Sequence, residues 1–392
     1  MPLSAKSKDF LGTEIMSRDV WDDYRFNFTS RNMYNSLRET YGSPIFGLVY
    51  PDGVLNYAIF GWANNNMFGQ VTWSFSSFSD EMILNRYTSW PENMNNRTSV
   101  PYTDVAIIFS RSSRDWSVKN MDDYPKEIMG TGQFLSERHV QHTFILDDAL
   151  TDGFDLSRYR VLLAPGMDCI SAGQEELLTR FVYNGGTLFL TGDAGMLTPY
   201  GDERASRAFN RILTDEMLSE AAKTDFVVAT HGKGRIVYAS RKHAINEYAA
   251  SIRDTGMVYR FSPDPAITRI NEKILSDVIG EAHFKAISIP VKVLVTVYRD
   301  VESNATMVHL LNATGVTAKH GDTLPTPNPT WTTVEEDITF DISLASLSKA
   351  YYTSPDSEGH KGVNWEKTGE NRYTITVPKG TLEKYGIVYL QP

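Results

Sequence analysis

The sequence predicts a mixed α/β protein in three parts, and three observations carry that prediction. Strand-like and helix-like segments alternate between Tyr102 and about Phe284. From about Ile287 onward, short alternating strands follow one another with no helical segment between them. Residues 1 to about 100 are instead rich in aromatics and Asn. The expected parts are therefore 1–100, 101–286 and 287–392. A chain of 392 residues fits this count, at roughly 100–200 residues per domain.

In the first part, "GVLNYAIFGWANNNMFG" (Gly53–Gly69) predicts a helix and "QVTWSF" (Gln70–Phe75) the strand after it. Pro91 and the polar run "ENMNNRTS" then predict a linker. In the second part, "DVAIIFS" (Asp104–Ser110) opens as a strand. "EIMGTGQFLSERHV" (Glu127–Val140) follows as a helix and "QHTFILDD" (Gln141–Asp148) as a strand. "YRVLLAPG" (Tyr159–Gly166) is almost continuously apolar, as expected of a parallel strand buried on both faces. "SAGQEELLTRFVYNGG" (Ser171–Gly186) has a Ser cap, apolar residues at helical spacing and a terminal Gly pair. "TLFLTG" is the next strand. "FVVATHGKGRIVYAS" (Phe226–Ser240) predicts a hairpin turning at "HGKG", and "PAITRINEKILSDVIGEA" (Pro265–Ala282) a helix. Repeated β-α-β units imply a parallel sheet with helices on both faces, close to a flavodoxin-like order. The third part predicts a small antiparallel β-sandwich from "VKVLVTVYRD", "ATMVHLLNAT", "ITFDISL", "KAYYTS", "NRYTITVPKG" and "YGIVYLQP".

Composition excludes several classes. A net charge of −10 without a Lys/Arg-rich block argues against nucleic acid and anionic membranes as partners. The single cysteine, Cys169, excludes an intrachain disulfide framework and a Cys-based zinc cluster. Of the eight His, only His139 and His142 in "HVQH" are close, and two ligands without a third predict a structural role. No metal or cofactor is expected. No run approaches the roughly 18 apolar residues of a membrane span, and "MPLSAKSKDF" lacks the apolar stretch of a signal peptide. Taken literally the chain is cytoplasmic. Its abrupt start in "FLGTEIMS" also fits a truncated protein, for which a secreted or periplasmic location stays open. Four Asn-x-Ser/Thr triplets (Asn27, Asn96, Asn304, Asn312) matter only after secretion.

The stretch "GTLFLTGDAGM" (Gly186–Met196) is a strand running into a glycine-flanked turn. In α/β enzymes such a corner often presents a nucleophile. Here Asp193 stands between Gly192 and Gly195. A carboxylate is a weak acyl acceptor towards amides, where a thiolate is a potent one. His243 is the nearest candidate base in chain order, with Glu247 beyond it, and Cys169 lies on the preceding loop.

The order strand, "LLAPGMD", helix, "NGGTLFLTGDAGM" resembles the class I glutamine-amidotransferase-like fold, whose nucleophilic Cys sits where Asp193 sits here. No amidotransferase activity is expected, and the elbow is read as kept for its geometry, with Asp193 capping the next segment. A degenerate domain of this kind followed by a β-sandwich resembles the C-terminal part of the family 42 glycoside hydrolases, the β-galactosidases. There a (β/α)8 barrel precedes an amidotransferase-like trimerisation domain. The matching stretches are "YRVLLAPGMDCIS", "LLTRFVYNGGTLFLTGDAG", "HGKGRIVYAS" and "MVHLLNAT", within about residues 102–392.

The resemblance gives residues 1–100 a meaning as a barrel remnant. "FLGTEIMS" looks like the family's seventh strand and "GQVTWSF" like the eighth, which puts Glu14 at the nucleophile position. Trp73 would line the sugar site, and the loop "SRDVWDDYRF" would offer Trp21 and Asp23, beside Asp19, Asp22 and Tyr24, to sugar hydroxyls. Catalytic residues of such barrels project from the C-terminal ends of strands. A retaining mechanism needs two carboxylates roughly 5–5.5 Å apart. The resemblance puts the acid/base on the fourth strand, and only thirteen residues precede Glu14. The expectation is a β-galactosidase-like fragment that is inactive alone or completed by a partner chain, and a homo-oligomer, trimeric by resemblance. Two other readings stand beside it: a non-catalytic carbohydrate-binding or scaffold protein, and a hydrolase using Asp193 with His243.

Overall fold

The computed structural model describes residues 11–15, 24–49, 55–74, 81–93, 99–118, 123–244, 265–316 and 330–392. It opens with three parallel strands, β1 (Leu11–Ile15), β2 (Ile45–Val49) and β3 (Val71–Ser74), in the spatial order β1-β2-β3. Helices α1 (Tyr24–Tyr41) and α2 (Leu55–Met67) connect them, and α3 (Glu81–Thr88) follows. The expected helix and strand over 53–75 are α2 and β3. However, α1 and β2 intervene between the strand of Glu14 and that of Trp73, which the family resemblance placed as consecutive strands. The reason is physical: α1 buries Asn27, Thr29, Ser30, Arg31, Asn32, Asn35 and Ser36, so it shows no apolar stripe.

Both connecting helices lie on one face of this sheet. A Cβ on Gly61 of α2 would stand 2.5 Å from a Val49 methyl. A Cβ on Gly47 would stand 2.1 Å from Asn65 Oδ1 and 2.4 Å from Arg31 Nη1. By strand alternation Phe46 and Leu48 take the opposite face, with Val71 and Trp73 in register beside them. On that face Val71 and Trp73 are about half exposed.

After β4 (Ser99–Pro101), a second sheet is built from β5 (Val105–Phe109), β6 (Thr143–Leu146), β7 (Val161–Ala164), β8 (Thr187–Thr191), β9 (Phe226–His231) and β10 (Gly234–Ala239). The order is β6-β5-β7-β8-β10-β9, all parallel except the edge strand β9. The central strands are buried on both faces, which is why they read as continuous apolar runs. Leu162, Leu188, Leu190 and Ile236 face one core, while Val161, Leu163, Phe189 and Val237 face the other. The first core is closed by α6 (Ala172–Tyr183), preceded by α4 (Arg111–Trp116) and α5 (Tyr124–Glu137) in the chain. Ser171 and Gln174 form a capping box at the start of α6. α7 (Asp215–Thr224) leads into the expected β9–β10 hairpin, and α8 (Pro265–Lys273) continues into a π-helical turn over Ile274–Ile279.

The last part holds two antiparallel sheets. β11 (Phe284–Ser288), β14 (Ile338–Ser343), β18 (Arg372–Val377) and β17 (Asn364–Gly369) form one, in that order. The other has the order β16 (Ser357–Gly362), β15 (Lys349–Ser354), β19 (Tyr385–Gln391), β13 (Thr306–Asn312), β12 (Val293–Asp300), β4. Phe340, Ile375, Val308, Leu310 and Val388 share the core between them. The two expected boundaries are both crossed by strands: β4 joins the last part from residue 99, and β11 spans 284–288. The outer face of the six-stranded sheet, with Tyr298, Met307, Tyr385 and Ile387, packs against Tyr57, Phe60 and Trp62 of α2. The first hundred residues are thus fastened to the last hundred. Among the described residues, no helix is long and apolar enough to cross a membrane.

Candidate functional site

The elbow between β8 and α7 is a tight turn built on two glycines. Gly192 and Gly195 have φ of +58° and +76°, a region that residues with a Cβ adopt at a cost. A Cβ on Gly195 would also stand 2.6 Å from the Ala208 Cβ. The turn is pinned from three sides. Gly192 N–H donates to Ala239 O (2.9 Å) and Gly195 N–H to Met167 O (3.0 Å). The Gly192 carbonyl accepts from Arg207 Nη2 (2.6 Å) and the Tyr238 hydroxyl (2.7 Å).

No helix follows at once; the next is α7, beginning at Asp215. Asp193 is exposed, and its carboxylate makes no hydrogen bond to the described residues, so the expected cap is not formed. Gly195→Val is expected to cost roughly 2–4 kcal/mol through strain and overlap. Asp193→Ala is expected to change stability by less than about 0.5 kcal/mol. Chemical denaturation of the two variants checks both.

A base for Asp193 is not available from His243. That ring is fully buried, with Nε2 3.1 Å from Thr131 Oγ1 and Nδ1 2.9 Å from Asn271 Oδ1. Phe134 and Phe189 stand edge-on to it. Its backbone N–H and that of Ala244 both donate to the buried Glu127 carboxylate, at 2.7 and 2.8 Å. His243 therefore locks the end of β10 onto α5, and the pairing with Asp193 is corrected to a structural role. Thr131, Asn271 and Glu127 lie far away in the chain, so no local signal announces them. Glu247 lies outside the described residues. Cys169 is buried, and burial with Asp168 nearby pushes its thiol up to about 11, which leaves it protonated at neutral pH.

The elbow nonetheless borders a cleft of about 200 Å³ lined by Gly166, Asp168, Thr191, Asp193, Ser240 and Lys242. These residues sit just past the C-terminal ends of β7, β8 and β10, the position where open α/β sheets receive ligands. Asp168 is buried and accepts from Ser117 Oγ (2.7 Å), while Lys242 Nζ lies 3.3 Å from Asp123 Oδ2. Sequence reasoning missed Asp168 and Lys242, although a polar residue beyond a buried strand end is a readable signal. The cleft holds cation and carboxylates but no activated nucleophile.

The second location is the N-terminal sheet. Glu14 of β1 pairs in register with Leu48, and Leu48 with Trp73, so the three share one row. Trp73 meets Phe46 edge-on at 5.4 Å between ring centroids. Trp21 and Asp23, with Asp19 and Asp22, lie outside the described residues. Tyr24 opens α1 and is buried. Behind the row Arg31 is fully buried. Nη2 donates to Leu48 O at 3.1 Å, and Nε and Nη1 have no hydrogen-bond partner among the described residues. Burial lowers its pKa to about 9.

The remaining candidates are structural. His139 Nε2 is 3.1 Å from Ile289 O and His142 Nδ1 is 2.9 Å from Val140 O. Asn312 is fully buried, donating its amide to Thr332 O and Glu383 O at 2.7 Å each, which removes it as a glycosylation acceptor. Among the described residues, no group of three His, Cys, Asp or Glu could hold a metal ion.

Comparison with known proteins agrees with this layout. Residues 103–254 match the family described as the β-galactosidase trimerisation domain. No curated protein matches the chain. The fold is similar to that of a solved β-galactosidase from Bacillus circulans sp. alkalophilus (TM-score 0.61, 13% identity, covering 99% of this chain and 61% of that one). It is also similar to a β-galactosidase from Rahnella sp. R3 (0.60, 13%, 100% and 61%) and to α-L-fucosidase isoenzyme 2 from Paenibacillus thiaminolyticus (0.61, 13%, 98% and 65%). The chain spans about three-fifths of the length of the solved β-galactosidases it matches. It is a mixed α/β chain with two parallel-rich sheets and two antiparallel ones, and its fold is similar to that of part of the solved β-galactosidases.

Proposed function

With a family-42-like fold and a trimerisation domain as the premise, we propose that this chain is the C-terminal portion of a β-galactosidase-like glycoside hydrolase. In this reading the three βα units are the end of a (β/α)8 barrel. The parallel sheet is a flavodoxin-type, amidotransferase-like association domain, and the paired antiparallel sheets are a β-sandwich. The observation that carries the reading is the row Glu14–Leu48–Trp73 on a parallel sheet just ahead of the matched domain. Glu14 is then the candidate nucleophile for β-galactosides or related oligosaccharides. Trp73, with Trp21 and Asp23, is a candidate contact to the sugar, whose apolar ring face an exposed indole suits. The partners are a carbohydrate and further copies of the chain, and nucleic acid is disfavoured by the charge of −10.

Strands β1 to β3 contain a single carboxylate, Glu14, whereas the retaining mechanism uses two. The purified chain is therefore expected to release no nitrophenol from 4-nitrophenyl β-galactoside. It is expected to show a saturable change in tryptophan fluorescence with galactose that Trp73→Ala removes. No response to galactose would overturn the carbohydrate reading. Hydrolysis that Glu14→Gln abolishes would overturn the inactivity and leave Glu14 as the catalyst.

One observation favours the non-catalytic reading, in which the chain binds carbohydrate or organises an assembly. The additional strand β2 moves Glu14 two strands back from β3, while the nucleophile equivalence rests on one. A galactose response left unchanged by Glu14→Gln would favour that reading.

A further inference from the structure

We infer that the elbow end of the middle domain, around Trp116, Val118 and Tyr200, is the surface that a second copy of this chain covers. The inference rests on the association role proposed above and assigns it to one face. Val118 and Tyr200 are 84% and 76% exposed, the two highest values among the described large apolar side chains, and Trp116 is 53% exposed. Exposed apolar side chains gathered in one place and rimmed by polar groups are the mark of an interaction site.

The three are neighbours although 82 residues separate Val118 from Tyr200. A Cβ on Gly201 would stand 2.7 Å from the Trp116 carbonyl oxygen and 3.0 Å from its Cβ. The loop tip at Tyr200 therefore lies against the end of α4, and Val118 follows Trp116 by two positions.

Both supports are rigid. The loop carrying Tyr200 is closed by Thr198 N–H to Asp202 O (2.8 Å) and Arg204 N–H to Met196 O (3.0 Å). Arg204 anchors it to Ile170 O (2.7 Å) and to the Glu175 carboxylate. On the other side Ser117 Oγ donates to Asp168 Oδ2, the carboxylate that floors the elbow cleft. Aromatic groups held out on fixed backbone lose little freedom when covered, which is what an association anchor requires. The Arg114–Asp115 ion pair and the exposed Asp202 and Glu203 supply a polar rim.

The occupant follows from the position of the patch. Its three residues fall within 103–254, the stretch that matches a trimerisation domain. The exposed pair Val71 and Trp73 on the N-terminal sheet lies outside it. Ser117, next to Trp116 in the chain, donates to Asp168, so a partner on this patch would sit beside the elbow cleft.

Sedimentation velocity of the full chain tests this, with Val118→Glu/Tyr200→Glu as the variant. Tyr183→Glu, 58% exposed on α6, serves as the control. The wild type is expected to associate, the double variant to do so at least about 100-fold more weakly, as for loss of a central anchor, and the control to match the wild type. Unchanged thermal unfolding of the double variant under dilute conditions separates lost contact from lost fold. Association of a folded double variant equal to wild type would overturn the assignment of this face and leave the association role standing. A wild type that stays monomeric at high concentration would overturn both.

Discussion

Trp62→Ala is expected to lower the unfolding free energy by roughly 3–5 kcal/mol, the cost of emptying a large, fully buried aromatic site. Trp62 lies on α2 and is 2% exposed. Its ring meets Tyr87 at 5.1 Å, Tyr385 at 5.4 Å and Trp90 at 6.3 Å between centroids, all edge-on. Its Nε1 donates to Asn93 Oδ1 at 3.2 Å. Tyr385 belongs to β19, so this cluster joins the three-stranded N-terminal sheet to the C-terminal sheets. The neighbouring tie from Asn66 Nδ2 to the Tyr385 hydroxyl (2.9 Å) takes the same route. The loss should thus be local first, with protease cuts appearing in residues 11–93 before the middle domain unfolds. A cost below about 1 kcal/mol would mean that the cluster does not fasten the two parts.

Acidification is the second large effect. His309 is fully buried against Tyr298 and Tyr385, with Nδ1 2.6 Å from the Tyr385 hydroxyl. Burial pushes it down to about 3, and pushes His142 down to about 4, both from an ordinary 6.5. Each is neutral in the folded protein and takes up a proton on unfolding at mildly acid pH. Their contribution to stability is full above about 6.5 and is lost as pH falls towards the folded values, by a few kcal/mol in all. Denaturant midpoints measured between pH 7 and pH 4 should fall, and His309→Gln should flatten that slope. A slope identical in the variant would exclude His309 as a contributor.

Legibility followed the chemistry of burial. The strands Val161–Ala164 and Thr187–Thr191 were plain in the sequence because both of their faces are apolar. The glycines of the elbow were plain because positive φ selects them. Helix α1 was not, since it buries Arg31 together with Asn27, Asn32 and Asn35 where an apolar stripe would normally run. β2 was not, being five residues long with Gly47 at its centre. β16 and β17 carry no apolar alternation, because "SEGHKG" and "NWEKTG" are exposed along nearly their whole length. For the candidate site, the register of Glu14 with Trp73 was implicit in a parallel arrangement, but the strand between them was not. The role of His243 was invisible because its partners arrive from α5 and α8, and only the fold brings them together.

The middle domain, on this account, keeps the shape of a nucleophile elbow for association and not for chemistry. Sedimentation equilibrium of the purified chain tests that claim most directly. The account predicts a particle of three times the 44.2 kDa chain mass, unchanged by Asp193→Ala. A species of 44.2 kDa across the accessible concentration range would contradict it.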